Sequence, residues 1–198
     1  MSMSRGASHS AHTIIFLGVS GSGKDTQAKF LFRAWGRRGR EISTGDGLRR
    51  IAQRRGLVGQ YVKRVLDRGG LVPAWGPAHI WLSAFIERLG GDEHIVFTGA
   101  PRRIEEAAML DGFMRDIGRP LPRAIYLAVS DRAARDRLFS RGRYDDTARA
   151  IQRRINFFKV HVSKVIHYYR RRRRLIEING NQDVRAVWRD IRRALRLR

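Results

Sequence analysis

Apolar residues along this chain follow two alternating patterns. Short, largely apolar runs at 12–17, 94–98, 124–129 and 175–178 are rich in Ile, Val, Phe and Leu. Such runs read as strands covered on both faces. A shorter one, 41–43, joins them. Between them, apolar positions recur every three or four residues, as at Ile151, Ile155, Phe158, Val162 and Val165. That spacing predicts helices with one buried side. They are expected over 27–35, 48–55, 60–67, 77–89, 103–117, 131–139, 147–170 and 182–196. Glycine pairs at 69–70 and 90–91 end two of them. Strand and helix in alternation predict an α/β fold: a five-stranded parallel sheet with helices on both faces and ligands at the carboxyl ends of its strands. No internal repeat or long linker divides the chain.

The first strand runs into Gly18-Val19-Ser20-Gly21-Ser22-Gly23-Lys24-Asp25-Thr26. A glycine-rich loop between a strand and a helix cradles phosphate through its backbone N–H groups and the helix N-terminus. Lys24 would set an ammonium against the β- and γ-phosphates. The usual pattern puts Ser or Thr directly after the lysine; here Asp25 intervenes and the hydroxyl comes at Thr26.

Composition narrows the partners. The 198 residues carry 41 basic and 18 acidic side chains, a net charge of +23, and no cysteine. Thiolate metal sites and disulfides are excluded. A surface this basic attracts polyanions. No apolar run approaches the roughly 20 residues that a membrane span needs, and residues 1–11 are polar and read as a disordered leader. A cytoplasmic protein is expected. The basic tract 170–174, beside Tyr168 and Tyr169, leaves nucleic-acid association open, without a recognised RNA-binding motif.

On the predicted sheet, the loop 18–26, the turns 43–49 and 98–102 and the segment 137–146 fall on one edge. They bring together Lys24, Arg49, Arg102, Arg137, Arg141, Arg143 and Arg154, a cationic site large enough for several phosphates. At this point the sequence resembles the adenylate kinase family of nucleoside monophosphate kinases, over nearly all of residues 12–196. Ile42-Ser43-Thr44-Gly45-Asp46-Gly47-Leu48-Arg49 is close to that family's monophosphate-site motif. The loop with Lys24-Asp25-Thr26-Gln27 has the family's spacing, one residue between Lys and Thr. Gly99-Ala100-Pro101-Arg102 is similar to its Asp-Gly-Phe-Pro-Arg turn. Asp136-Arg137, Arg141, Arg143, Asp145-Asp146 and Arg154 match its lid-flanking pattern, and the segment around Gly142 is too short for an inserted lid subdomain.

The resemblance implies a P-loop NTPase-type kinase domain over 12–198, with a helical monophosphate-binding lobe at about 43–73 and a short lid at about 140–146. It implies transfer of the γ-phosphate of Mg-ATP to a nucleoside monophosphate, AMP first, giving two nucleoside diphosphates. By the same resemblance, Lys24, Arg102, Arg137, Arg141, Arg143 and Arg154 form the catalytic set. Gly21, Ser22, Gly23, Lys24, Asp25, Thr26, Arg137 and Gly180 contact ATP. Thr44, Gly45, Arg49, Val72, Gly99, Arg102, Glu106, Arg143 and Arg154 contact the acceptor. Thr26, and Asp46 through water, hold Mg2+. A monomer is expected. The acceptor oxygen is already an anion near neutral pH, its second pKa being about 6, so no general base is required.

Three positions depart from the family pattern. The acid expected at the end of the third strand is Thr98. Asp25 stands where the family has glycine, either as a substitute carboxylate or as a first-turn residue favoured by the helix dipole. The base-reading glutamine falls on Glu106; an ionised carboxylate only accepts hydrogen bonds, which suits guanine. These leave two other readings open: a kinase preferring GMP or dGMP, and a weakly active nucleotide-binding regulator.

Overall fold

The computed structural model describes residues 11–142 and 147–197. The apolar runs form one parallel sheet in the order β2 (Gly39–Ser43), β3 (His94–Thr98), β1 (Thr13–Leu17), β4 (Arg123–Ala128) and β5 (Leu175–Asn179). β1 is central: Phe16 is in register with Thr98 on one side and with Ile125 on the other. A strand bonded along both edges and covered on both faces has no polar side to show, and all of β1 is buried.

Alternation along the strands splits the core. Ile15, Ile95 and Phe97 face α4 (Trp75–Arg88), α5 (Ile104–Asp116) and α8 (Ser163–Arg171), where Trp81, Met114 and Tyr169 fill the layer. Ile14, Phe16 and Val96 face α1 (Lys24–Trp35) and α9 (Val184–Leu195) through Leu31 and Ile191. A buried polar knot ties the first layer to the last strand. Asp111 of α5 is fully buried, ion-paired with Arg174, and accepts the Tyr168 hydroxyl at 2.7 Å.

Two smaller clusters position the site. α2 (Thr44–Ala52) and α3 (Leu57–Asp67) close around Leu48, Val62 and Val72. α6 (Asp131–Arg141) and α7 (Ala148–Phe157) close around Val19, Leu138, Ile151 and Ile155 at the glycine loop.

Several boundaries differ from the sequence reading. Residues 44–47, expected as a turn before a helix at 48, are already helical, because the Ser43 hydroxyl accepts the Asp46 N–H at 3.3 Å and caps α2. The first helix begins at Lys24, with Gly23 as its N-cap, three residues ahead of the expected start. The helix expected over 147–170 is α7 and α8 joined by a π-helical turn, Phe158–Val162. That turn lets Ile155 face the loop cluster while Val165 faces the sheet, and Phe158 packs against both clusters. Of the expected leader, residues 1–10 lie outside the described residues and Ala11 is buried. Of the expected lid, residues 143–146 lie outside them too. No described helix is long and apolar enough to cross a membrane.

Candidate active site

The glycine loop leaves β1 at Gly18 and enters α1 at Lys24. Gly21 has φ of 85°, and a Cβ there would stand 2.7 Å from the Ala134 carbonyl oxygen, so a side chain cannot be fitted where the loop lies on α6. The Ser22 N–H donates to the Val19 carbonyl at 3.1 Å and tightens the turn. Lys24 folds back over this turn, its Nζ donating to the same carbonyl at 2.8 Å and to Ser22 Oγ at 3.3 Å. Burial lowers the Lys24 pKa to about 8; Arg102 and Arg141 push the same way and Asp25 opposes them. Bound phosphate would supply the negative charge that this ammonium lacks.

The second half of the site is built on the turn after β3. Gly99 has φ of 86°, and its bare Cα lets the first turn of α2 approach: a Cβ would stand 2.9 Å from Thr44 Oγ1. Thr44 Oγ1 donates to the Thr98 carbonyl at 3.3 Å. The close approach places Thr44, Gly45, Arg49, Val72, Gly99 and Glu106 around one small pocket, with Arg102 on its wall. Arg102 also lines the adjoining cleft of about 490 Å³, together with Lys24, Gly99 and Arg154. One guanidinium thus borders both spaces.

Glu106 lines the small pocket, 4% exposed, and its Oε2 accepts the Arg102 backbone N–H at 2.8 Å. Burial raises its pKa; the Arg102 N–H and the charges of Arg102 and Arg103 pull the other way without cancelling it. Asp46 accepts from Arg49, and the Ser43 hydroxyl together with Arg49 holds its carboxyl below the ordinary range. Asp25 and Thr26 are exposed on the first turn of α1.

The remaining sequence-chosen residues divide. Arg137 Nη2 donates to the Gly180 carbonyl at 2.8 Å and to that of Gln182 at 3.5 Å, so these two residues meet each other at the turn between β5 and α9. Neither lines the cleft of Lys24 and Arg154. Arg141 is close enough to Lys24 to depress its pKa. Arg143 lies outside the described residues. Two polar side chains escaped the sequence reading. Arg153 lines the cleft beside Arg154; the repeated arginines at 153–154 were the available signal. Glu41 accepts the Thr98 hydroxyl at 3.2 Å, a pairing visible only once the register of β2 on β3 is known.

A glycine loop at the end of the central strand of a β2-β3-β1-β4-β5 parallel sheet, flanked by a small helical lobe, defines a P-loop phosphotransferase. Residues 16–174 match the family model described as adenylate kinase. Curated relatives agree. The chain is 32% identical to adenylate kinase 1 of a Nostoc species over 182 residues, covering 92% of this chain and 97% of the relative. It is 34% identical to adenylate kinase 1 of a Synechocystis species over 180 residues, 89% of this chain and 93% of the relative. It is 31% identical to the adenylate kinase of Leuconostoc mesenteroides over 188 residues, 93% and 97% of the two chains. The chain belongs to the adenylate kinase family. It is a nucleoside monophosphate kinase that draws on ATP.

Proposed function

We propose that the enzyme transfers the γ-phosphate of Mg-ATP to AMP, giving two molecules of ADP. The carrying observation is the position of Arg102, shared between the cleft that holds Lys24 and the pocket that holds Arg49 and Glu106. In this reading, donor and acceptor phosphates meet at that guanidinium. The loop residues Gly21, Ser22 and Gly23 cradle the donor, and Lys24 neutralises its β- and γ-phosphates. Arg49 and Arg102 clamp the acceptor phosphate, where planar guanidinium forks match phosphate oxygens two at a time. Arg137, Arg141, Arg143 and Arg154 spread the charge of the transferred group, with Arg137 and Gly180 at the donor side. Thr44, Gly45, Val72 and Gly99 shape the acceptor pocket. Positioning and charge neutralisation are what this reaction asks of a protein.

Magnesium fits the donor set. Thr26 at the loop, and Asp46 of α2 through water, offer hard oxygens, and Mg2+ is bound by one or two carboxylates together with phosphates and waters. When bound, it neutralises charge between the β- and γ-phosphates. The reading includes a monomer, because one chain supplies both seats.

AMP is taken as the acceptor because the similar curated proteins are adenylate kinases; burial, which raises the Glu106 pKa, works toward the protonated carboxyl that donates as well as accepts, as adenine N1 and N6 require. A second reading, GMP or dGMP, follows from the same residue once ionised. A coupled assay with Mg-ATP over AMP, GMP, CMP, UMP and dTMP tests the proposal. AMP is expected to give the highest kcat/KM near neutral pH, and Lys24→Ala to lower kcat by about 10²–10³-fold. Any other acceptor outrunning AMP across the pH range rejects AMP as the substrate.

A further inference from the structure

P-loop sites divide their two metal-side groups between two elements. The residue directly after the loop lysine offers a hydroxyl, and the end of a neighbouring strand offers a carboxylate. This chain keeps the hydroxyl at Thr26, at its family's spacing, but an acid, Asp25, stands directly after Lys24 and a hydroxyl, Thr98, ends β3.

The two positions border one corner of the fold. Val96 faces the α1 layer, and Thr98, two residues on, lies on the same face of the strand. α1 packs across β2 and β3, so its first turn stands over the ends of those strands. Thr98 cannot make good the missing charge: its hydroxyl donates to Glu41 Oε1 at 3.2 Å. Three acids lie around this corner, and two are engaged. Glu41 holds Thr98, and Asp46 holds Arg49. Asp25 has neither a hydrogen bond nor an ion pair among the described residues, and it makes no cap on its own helix. Its charge is nevertheless felt at Lys24 and at Arg102, which comes from a different element.

We propose that the metal-side carboxylate of the ATP site sits on α1 and no longer at the end of β3: Asp25 holds the magnesium-bound water for which Thr98 has no charge. This rests on reading the glycine loop as the ATP-phosphate seat. Asp25 is then a positioning residue. It acts on the metal that accompanies the nucleotide and leaves the base and the acceptor alone.

The test is a pair of calorimetric ATP titrations, one with magnesium and one with EDTA. A carboxylate beside the phosphates repels bare ATP and favours Mg-ATP, so the wild type binds the magnesium form more tightly. Asp25→Asn is expected to shrink that ratio by about 10–100-fold, the usual cost of removing a group that orients a metal's ligands. Asp25→Gly combined with Thr98→Asp returns the acid to β3 and should restore most of the ratio. Glu41→Gln should leave it unchanged. Equal shifts of both affinities in Asp25→Asn, loss of the ratio in Glu41→Gln, or no recovery in the double variant would each overturn the proposal. A wild type that binds neither form of ATP overturns the reading of the loop itself, which is a distinguishable result. Asp25 is exposed, and thermal melts check that its variants remain folded.

Discussion

Glu106 Oε2 accepts the backbone N–H of Arg102 at 2.8 Å, so two residues lining the small pocket, an acid and an arginine, are fastened to each other. Burial raises the Glu106 pKa, and the population of its ionised form therefore grows across a pH range above that of an ordinary glutamate. In the proposed reading a protonated Glu106 suits adenine and an ionised one suits guanine. The ratio of kcat/KM for GMP over AMP is expected to rise by about tenfold as this group ionises. Glu106→Gln, which has no titrating form, should flatten the profile and favour AMP throughout. Steady-state kinetics for both acceptors over a pH series measure this directly.

With Lys24 as the proposed phosphate ligand, nucleotide affinity is expected to be sensitive to alkali. Its pKa of about 8 means that the unliganded protein loses the ammonium as pH rises through that value. ATP affinity should fall through the same range, and Lys24→Arg should hold it level, since a guanidinium stays charged.

The same shift has a stability sign. A lysine whose folded pKa lies below its unfolded value makes folding release protons, so its cost is full below about 8 and disappears as pH approaches the unfolded value near 10.5. Lys24→Met should therefore raise the melting temperature of the unliganded protein at pH 7 by about 3 °C, and the gain should shrink by pH 10. Differential scanning calorimetry with and without ATP separates this from the loss of binding.

Asp111 carries a different expectation. It is fully buried, with Arg174 and Tyr168 as its partners, and removing one member of a buried pair leaves the other uncompensated. Asp111→Ala should cost about 3–5 kcal/mol of unfolding free energy in urea titrations. Kinetic constants measured where the variant is folded should change little, because neither Asp111 nor Arg174 lines the cleft.

Much of this architecture was legible because its signals are local. The strand cores at 13–17, 94–98 and 124–128 follow from largely apolar runs, and the loop from glycine spacing with Lys24. Thr44–Gly47 was misread because the capping hydroxyl of Ser43 lies outside the segment it helps to fold. The π-helical turn at Phe158–Val162 escaped because residue spacing of three and four continues through it unbroken. At the site, Lys24, Arg49, Arg102, Arg154 and Glu106 were named from motif positions, and the structure places them around adjoining spaces. What no motif could give was pairing across elements: Thr98 with Glu41 and Arg137 with Gly180. Each depends on register or on a turn between distant segments.

The π-helical turn has one more consequence, angular in nature. An α-helix advances by about 100° per residue, so one residue added or removed at Phe158–Val162 resets the rotational phase of everything before it against everything after. α8 is fixed to the sheet by Val165 and Tyr169. A deletion there would therefore turn α7 instead and swing Arg153 and Arg154 out of the cleft as a pair. The turn works as a gear between two surfaces: the spacing that suits the sheet is not the spacing that aims the arginines, and five residues reconcile them.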